Sequence, residues 1–325
     1  MNRLGDADLL ALYRTMRLAR AVDERLWILN RQGRMPFTVS CQGHEGIGAA
    51  LAHVLRPGQD WVAPYYRDLA LVLGLGAGVE DVFLHALARA ADPVSGGRQM
   101  PAHWSFPNLR VLTTSSVTGT QTLHAVGAAL VAKLKGTDEI AVTTLGEGAT
   151  SEGEFHEACN FAAVKRLPVI FVVESNGWAI SVPRVEQLAV PSAATRAAAY
   201  GFPGEDCDGT NVEAMVGCFG AAVERARTGE GPTLISAECS RLTAHTSDDQ
   251  ETVYRPAEEI AEAHTCDPIA VARDQLRERG AWDDDREAAL VAELKTRIDR
   301  AVQAAMAAPE PAPETLTRYV YAEVA

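Results

Sequence analysis

The spacing of apolar and polar residues predicts helices in the first third of the chain. Apolar side chains recur at close to helical spacing from residue 7 to residue 33, where Gly33 ends the pattern. Two shorter helices are predicted over residues 47–55 and 79–90. Residues 93–121 lack a regular apolar period and are rich in Gly, Pro, Thr and Ser. A loop of that length inside a compact domain is usually functional or disordered.

The middle of the chain has the pattern of a repeated β-α unit. Helices and buried strands alternate, beginning with a helix, over residues 122–135, 140–145, 151–165, 168–173, 211–228 and 233–238. Strands that are apolar throughout and alternate with helices are typical of a parallel sheet covered by helices. Two or three further helices are predicted over residues 256–264, 267–279 and 284–308. The proline-rich stretch 309–313 then predicts a semi-rigid spacer.

Charge and hydropathy narrow the functional classes. The chain has 325 residues, with 30 Lys and Arg against 43 Asp and Glu, which gives a net charge of −13. That balance argues against nucleic acid as the main partner, because contacts to phosphate need a basic face. No apolar stretch is long enough to span a membrane, and the first six residues lack the apolar region of a signal peptide.

The cysteines are typical of a reducing compartment. None of the six belongs to a C-x-x-C pair; they lie at positions 41, 159, 207, 218, 239 and 266. Neither a disulfide framework nor a zinc site is therefore expected, and a cytoplasmic location is predicted.

Polar residues follow the two strands of the clearest β-α-β unit. The first strand leads into Gly146-Glu147-Gly148, and the second leads into Glu174 to Trp178. Ligands of parallel α/β sheets bind beyond the carboxyl ends of the strands, so both segments are candidates for a binding site. Taken alone, Gly-Glu-Gly also fits an ordinary tight turn between a strand and a helix.

A dinucleotide site is a second interpretation of these residues. Gly146-x-Gly148-x-x-Ser151 approximates the Rossmann fingerprint, and Glu174 would be the acid that binds the ribose. The third glycine is absent, however, and a carboxylate at Glu147 would repel the pyrophosphate. A divalent cation between the two groups removes that repulsion, which favours a different kind of site.

Oxygen ligands of the kind that Mg²⁺ prefers are present at both strand ends. Glu147 supplies a carboxylate, Asn176 supplies an amide oxygen, and Trp178 supplies a backbone carbonyl. The helix predicted to begin near Ser151 presents free N–H groups to a diphosphate. Together these residues predict a site for Mg²⁺ and a diphosphate.

At this point the sequence resembles a known cofactor motif. Gly146-Glu147-Gly148, followed after 27 residues by Asn176, resembles the thiamine diphosphate motif. The stretch GEGATSEGEFHEACNFAAVKRLPVIFVVESNGWAIS resembles the alpha subunit of the decarboxylating component of 2-oxo acid dehydrogenase complexes. The resemblance extends over nearly the whole chain through the blocks SCQGHEG, PYYRD, SGGRQMPAHW, HAVGAAL, TLISAECSRLTAHTSDD, VYRPAEE and APETLTRYVYAE. Three features resemble the branched-chain enzyme: the stretch GRQMPAHW, the Glu between the two glycines, and SDD followed by YR. The pyruvate enzyme more often has Asp between the glycines.

The resemblance implies a fold and a division into three regions. The expected fold is the α/β thiamine diphosphate-binding fold, a mostly parallel sheet with helices on both faces, plus an N-terminal helix and a C-terminal helical extension. Residues 1–35 would form an N-terminal helical arm and residues 36–240 the domain that binds the diphosphate half of the cofactor. Residues 241–325 would form an active-site loop and the C-terminal helices.

The resemblance also implies roles for individual residues. Mg²⁺ would be bound by Glu147, Asn176 and the carbonyl of Trp178. Tyr66, Arg67 and His245 would contact the diphosphate or the reacting centre. Further cofactor contacts are implied for Ser116 and Thr118, which line the thiazolium ring, and for Gly146, Gly148 and Ala149. Phe37 and Tyr66 would lie near the substrate, and a K⁺ site is implied at Ser115, the Val117 carbonyl, Thr120 and Gln121.

Three positions depart from the family pattern. The usual Asn-Asn pair is Ser175-Asn176, which keeps the second Asn as the metal ligand. The usual Tyr is Trp178, a harmless change if only the carbonyl binds the metal. The usual Ser-Pro-Leu is Ser116-Val117-Thr118, and this change touches the wall of the active site.

The resemblance implies that the reaction is shared between two chains. The thiazolium ring would add to the keto carbon of a 2-oxo acid, and the cofactor would act as an electron sink while CO₂ leaves. In two-chain members of the family a beta subunit supplies the glutamate that activates the aminopyrimidine, and this chain has no second α/β half. We therefore expect half an active site, completed by a beta subunit in an α₂β₂ assembly. The acyl group would pass to a lipoyl-bearing acyltransferase, with His245 as a proton donor or charge stabiliser.

Branched-chain 2-oxo acids such as 3-methyl-2-oxobutanoate are the expected substrates. The same scaffold acting on pyruvate or acetoin is the alternative, and a non-catalytic assembly subunit is a third hypothesis. Intact Glu147, Asn176, Arg67 and His245 argue against the third. His44, which lies in one of the matching blocks, is assigned a structural role.

Overall fold

A five-stranded parallel sheet forms the centre of the molecule. The computed structural model describes residues 3–318 and 320–321. In spatial order the strands are β1, β2, β3, β7 and β6, and each neighbouring pair is parallel. A separate two-stranded hairpin is formed by β4 and β5. Within the described part of the chain the strands are β1 Trp61–Ala63, β2 Ala141–Gly146, β3 Val169–Ser175, β4 Trp178–Ala179, β5 Val182–Pro183, β6 Gly204–Asp208 and β7 Thr233–Glu238.

Helices connect the strands and extend beyond them at both ends of the chain. The helices among the described residues are α1 Asp6–Arg31, α2 Glu45–Val54, α3 Leu69–Leu75, α4 Val79–Ala86, α5 Thr120–Lys135, α6 Gly153–Lys165, α7 Arg184–Gln187, α8 Ala197–Tyr200, α9 Val212–Arg227, α10 Ala257–Thr265, α11 Pro268–Glu278 and α12 Asp284–Ala307. None of them is long and apolar enough to cross a membrane. The predicted α/β fold with an N-terminal helix and C-terminal helices is confirmed.

Alternate side chains of the central strand β3 enter two separate cores. Ile170 and Val172 pack in a large cluster with residues of α1 to α4, α9, α11 and α12. Val169, Phe171 and Val173 pack in a second cluster with residues of α5, α6 and α8. Since successive side chains of a strand point to opposite faces, the sheet is covered by helices on both sides, as predicted.

The elements that the sequence did not predict include both edge strands, the β4–β5 hairpin, and helices α3, α7 and α8. Strand β1 has only three residues, and β6, with the sequence Gly-Glu-Asp-Cys-Asp, is largely exposed. Neither gives the continuous apolar run of a buried central strand. The helix predicted to begin near Ser151 begins at Gly153 instead, after a 3₁₀ turn over Glu147–Ser151.

A disulfide corrects the expectation drawn from the cysteines. Cys207 in β6 is bonded to Cys218 in α9, eleven residues further along the chain. The two positions are brought together because α9 packs against β6, so cysteine spacing alone gave no sign of the pair. The four other cysteines are free thiols.

Candidate active site

The carboxyl ends of β2 and β3 form one wall of a cavity of about 380 Å³. Gly146 at the end of β2 lies directly beside Glu174 of β3 in the parallel register. Twelve residues that sequence reasoning had singled out line this cavity: Tyr66, Arg67, Ser116, Thr118, Gln121, Gly146, Glu147, Gly148, Ala149, Asn176, Trp178 and His245. They come from five separate segments, and the fold collects them at the sheet edge where ligands of parallel α/β proteins bind.

Glu147 is a buried carboxylate with one oxygen unused. Its side chain is 1% exposed, and Oε2 accepts a hydrogen bond from the backbone N–H of Asn176 at 3.2 Å. Oε1 has no hydrogen-bond partner in the part of the chain that the structure describes. Burial raises the pKa of Glu147 above its usual value. An ionised carboxylate in this position needs a cation beside it, and the neighbouring amide and carbonyl oxygens suit Mg²⁺.

Asn176 has its amide orientation fixed by the hairpin that follows it. The backbone N–H of Trp178 donates to Asn176 Oδ1 at 3.1 Å, so the amide oxygen is identified by its partner. An amide oxygen has a second lone pair, which is free for a metal. The indole of Trp178 points elsewhere, because its Nε1 donates to Glu259 Oε1 at 2.6 Å. The departure from the usual Tyr therefore leaves the Trp178 backbone at the cavity wall.

The turn after Glu147 provides a place for a diphosphate. A Cβ at Gly148 would lie 2.6 Å from the Cβ of Ala179, so a larger residue would displace the β4–β5 hairpin. The 3₁₀ turn over Glu147–Ser151 opens at the cavity with its first backbone N–H groups, which have no partner inside the turn. Such groups favour phosphate oxygens, and Mg²⁺ at Glu147 would offset the carboxylate's own repulsion.

Arg67 and His245 are in contact with each other and both line the cavity. Arg67 is buried; its Nη1 donates to the Ser40 carbonyl at 2.6 Å, and its Nη2 lies 3.1 Å from His245 Nδ1. Arg241 Nη1 lies 3.3 Å from the same ring nitrogen. Burial, with the charges of Arg67 and Arg241, lowers the pKa of His245 to about 3. The ring is therefore neutral, Nδ1 accepts from the guanidinium groups, and Nε2 carries the proton.

The loop that carries His245 is held by a local network. Asp249 Oδ2 accepts from the His245 backbone N–H at 2.8 Å and from the Tyr254 hydroxyl at 2.5 Å. Arg241 Nη2 donates to the same hydroxyl at 2.8 Å. These hydrogen bonds hold the His245 imidazole in its position.

Residues 115–121 form a turn rich in oxygen atoms at the start of α5. The Thr120 hydroxyl donates to the Val117 carbonyl at 2.8 Å, and the Val117 N–H donates to the Ser115 hydroxyl at 3.0 Å. Gln121 Nε2 donates to the Thr144 carbonyl at 3.0 Å, whereas its buried Oε1 has no partner among the described residues. Gln121 lines the cavity, but Ser115, Val117 and Thr120 do not. Hydroxyl, carbonyl and amide oxygens are the donor set of a hard cation.

Phe37, predicted to lie near the substrate, is another predicted site residue outside the cavity lining. It does not line the cavity and packs, partly buried, against the larger core. Tyr65 and Tyr66 both line the cavity. The Arg67 guanidinium lies over the Tyr66 ring at 5.4 Å, and this ring is edge-on to His245 at 6.1 Å.

Sequence reasoning missed a buried acidic network behind Asn176. Glu174 Oε2 lies 2.5 Å from His44 Nδ1 and accepts from the Tyr65 hydroxyl at 3.3 Å. Asp68 accepts from Thr144 and from the Tyr65 N–H. Burial raises the pKa of Glu174 to about 7, and burial together with Glu174 raises the pKa of Asp68 well above its usual value. Glu174 is thus turned away from the cavity, which argues against its use as a ribose-binding acid.

Ile180 is a strained residue at the cavity wall that the sequence did not indicate. Its φ of 55° lies in the left-handed region, which is unusual for a β-branched side chain. Its carbonyl accepts from Arg241 Nη2 at 3.1 Å, and its side chain lines the cavity. Strain of this kind is often retained at binding sites.

Comparison with known proteins relates the whole chain to one family. A family model described as dehydrogenase E1 component matches residues 13–314. The chain is 44% identical over 320 residues to the 2-oxoisovalerate dehydrogenase subunit alpha of Bacillus subtilis, covering 98% of this chain and 97% of the relative. It is 39% identical over 315 residues to the 3-methyl-2-oxobutanoate dehydrogenase subunit alpha of Mycobacterium tuberculosis, covering 96% and 82%. It is 34% identical over 303 residues to the pyruvate dehydrogenase E1 component subunit alpha of Staphylococcus aureus, covering 93% and 79%.

Proposed function

Because the chain belongs to the dehydrogenase E1 component family, we propose that it is the alpha subunit of a branched-chain 2-oxo acid dehydrogenase. It would use thiamine diphosphate and Mg²⁺ to decarboxylate substrates such as 3-methyl-2-oxobutanoate. The observation that carries the proposal is the buried Glu147 carboxylate: one of its oxygens has no partner among the described residues, and Glu147 lines a cavity together with Asn176 and Trp178. A buried carboxylate without a partner is costly, and a bound cation would remove that cost.

Each half of the cavity would have a separate task. Glu147, Asn176 and the Trp178 carbonyl would hold Mg²⁺, and the turn beginning at Gly148 would hold the diphosphate. When bound, thiamine diphosphate would supply the reactive thiazolium carbon and the electron sink for loss of CO₂. Ser116 and Thr118 would line the ring of the cofactor.

Arg67 and His245 would act on the opposite side. Arg67 would balance the negative charge of the substrate or the diphosphate, because it is buried and directed towards the cavity by the Ser40 carbonyl. His245 would donate the proton on Nε2, since two arginines occupy the side of Nδ1. A neutral imidazole in this tautomer is a hydrogen-bond donor to a developing oxyanion.

A monovalent cation would be held by the turn before α5. Ser115, the Val117 carbonyl, Thr120 and the unpartnered Gln121 Oε1 supply oxygens within seven residues of sequence. K⁺ at this turn would brace the segment that carries Ser116 and Thr118. This role is structural, because only Gln121 of the four lines the cavity.

The branched-chain substrate is favoured over pyruvate by two kinds of observation. The relatives named for 2-oxoisovalerate and 3-methyl-2-oxobutanoate are 44% and 39% identical, against 34% for the one named for pyruvate. The sequence also carries three features that resemble the branched-chain enzyme: the stretch GRQMPAHW, Glu147 between its two glycines, and SDD followed by YR.

The active site would be completed by a beta subunit in an α₂β₂ assembly. Helices α5 and α6 expose apolar side chains that an interface would cover: Leu123, Val131, Leu134, Phe161 and Val164. Beside them, Gly127 and Ala128 line a groove of about 560 Å³. Helix α1 offers less free apolar surface, because ten of its residues are buried in this chain's own core. The C-terminal segment 319–321 would also contribute: Val320 and Tyr321 are exposed, and Tyr319 lies outside the described residues.

The acyl group would be passed to the lipoyl group of an acyltransferase. The test is reconstitution of the chain with its beta subunit, thiamine diphosphate and Mg²⁺, followed by a decarboxylation assay with 3-methyl-2-oxobutanoate and an artificial electron acceptor. Turnover that depends on all four components supports the proposal. Mg²⁺-independent binding of the cofactor, or turnover by the isolated chain, would contradict it.

A further inference from the structure

His44 lies between the metal-ligand segment and the buried acidic network. It is 2% exposed and precedes helix α2. Its Nδ1 lies 2.5 Å from Glu174 Oε2, and its Nε2 lies 3.5 Å from Asn176 Nδ2. The imidazole therefore touches one of the three proposed Mg²⁺ ligands without lining the cavity itself.

The contacts determine which nitrogen of His44 carries the proton. Trp178 N–H donates to Asn176 Oδ1, so the group facing His44 is the amide NH₂, which can only donate. His44 Nε2 must then be the acceptor, and Nδ1–H donates to Glu174. A protonated Nε2 would place two donors against each other and push the amide away.

The position of His44 in the chain indicates that its ring is committed to this contact. The residue before an α-helix is usually Ser, Thr, Asp or Asn, whose side chain bonds the first N–H groups. His44 occupies that position in front of α2, but its side chain makes no capping bond. The helix start is held instead by Glu45, which accepts from the Gly43 N–H at 2.8 Å and pairs with Arg20 at 2.5 Å.

The backbone around His44 has little freedom to move. Gly43 has a φ of 94°, and a Cβ there would lie 1.8 Å from the Ser240 carbonyl oxygen. The Gln42 carbonyl accepts from Leu242 N–H at 3.2 Å. The turn thus lies between α1 and the segment that follows β7 and leads to His245, and this holds His44 in a fixed place against Asn176.

We propose that His44 is a positioning residue that, anchored by Glu174, accepts a hydrogen bond from the Asn176 amide and keeps its oxygen available to Mg²⁺. The inference rests on the proposed function, in which Asn176 binds the metal of a thiamine diphosphate site. Hydrogen-bond partners of a metal-binding side chain generally orient that side chain, and we apply this rule to the Asn176 amide. Loss of such partners typically lowers metal affinity by about 10–100-fold.

Two substitutions separate the acceptor role from simple filling of space. His44→Asn keeps a donor near Glu174 and suits the position before a helix, but it removes the acceptor that faces Asn176. His44→Gln places an amide oxygen near the position of Nε2. We expect H44N to raise the Kd for Mg²⁺ by about 10–100-fold, with a much smaller change for H44Q. His53→Asn, on the exposed side of the same helix, is the matched control.

The measurement is calorimetric titration of Mg²⁺ into the reconstituted complex at saturating thiamine diphosphate. An H44N complex with wild-type Mg²⁺ affinity, or equal losses in H44N and H44Q, would overturn the positioning role. If the wild-type complex itself shows no Mg²⁺-dependent cofactor binding, the proposed function fails instead, and the two failures are distinguishable.

A second measurement needs no cofactor and reads the wild-type chain directly. The full chain, labelled with ¹⁵N at its eight histidines, reports the tautomer of each neutral ring by nuclear magnetic resonance. The His44 signals are assigned by their loss in H44Q. We expect protonation at Nδ1 and a bare Nε2; the opposite tautomer would overturn the inference.

Discussion

Arg67 and His245 are 178 residues apart in the chain, and the guanidinium Nη2 of one lies 3.1 Å from the ring Nδ1 of the other. The contact puts a permanent positive charge against the imidazole, and Arg241 adds a second. The ring is therefore held neutral with its proton on Nε2. The pair lines the same cavity as Glu147 and Asn176, the two side chains proposed to bind Mg²⁺.

The first prediction concerns the stability of the chain at acid pH. The pKa of His245 is lowered to about 3 in the folded state, so between that value and the ordinary 6.5 the unfolded chain binds more protons. Stability contributed by the neutral ring is therefore lost as pH falls through this window. His245→Gln should lose less stability between pH 7 and pH 5 than the wild type, measured as unfolding midpoints. The control is His53→Gln, which removes an exposed imidazole. Equal losses of stability in H245Q and the wild type between pH 7 and pH 5 would contradict the prediction.

The second prediction is that Glu147→Gln has opposite effects on the free and the loaded protein. Removing an unpaired buried charge should leave the free chain as stable as the wild type or more so. The Mg²⁺-dependent affinity for thiamine diphosphate should fall by at least about 100-fold, which is more than is typical when a residue that only orients a metal ligand is changed. Thermal shifts with and without cofactor measure both effects. Glu152→Gln removes an exposed carboxylate nearby and should change neither.

The third prediction concerns Asp249, which holds the His245 backbone. Asp249→Asn weakens two hydrogen bonds to a charged group, each worth about 1.5–3 kcal/mol. The loop from Thr243 to Arg255 should exchange its amide hydrogens faster, and kcat should fall more than the affinity for thiamine diphosphate. The neighbouring Asp248→Asn, at an exposed position, serves for comparison. Unchanged exchange in D249N would show that the loop is ordered by other contacts.

The fourth prediction concerns the substrate. The reconstituted enzyme should have a higher kcat/KM for 3-methyl-2-oxobutanoate than for pyruvate, with intermediate values for neighbouring chain lengths. One methylene in an apolar pocket discriminates by only about 1–3 kcal/mol, so partial activity is expected. Thr118→Val, which removes a hydroxyl from the cavity wall, should raise the preference for branched substrates. Faster turnover of pyruvate than of all branched-chain acids would overturn the substrate assignment.

The fifth prediction concerns assembly through α5. Val131 is 47% exposed beside the groove, and Val291 on α12 is 44% exposed, so the two form a matched pair. Val131→Glu should weaken association with the beta subunit and reduce activity, because it buries a charge in an apolar interface. Val291→Glu should assemble normally. Size-exclusion chromatography with light scattering measures both complexes, and equal behaviour of the two variants would remove α5 from the interface.

The sequence by itself determined the centre of the sheet and the proximity of Glu147 to Asn176. Strands β2, β3 and β7 are continuous apolar runs, which is the local signature of burial on both faces. Glu147 and Asn176 directly follow two adjacent strands, so their proximity follows from the parallel topology alone. The family resemblance then placed Arg67, Tyr66 and His245 at the same cavity.

Only the tertiary structure decided the contacts between segments that are distant in the chain. Strand β6 is polar and exposed, and the disulfide partner of its Cys207, Cys218, lies on a separate helix. Local periodicity therefore predicted neither the strand nor the disulfide. Phe37 packs into the core, and His44 meets Glu174 and Asn176 across about 130 residues of sequence. The protonation of His245 and Glu174 depends on burial and on neighbouring charges. Burial and neighbouring charges are set by the three-dimensional packing, so these protonation states cannot be deduced from the sequence alone.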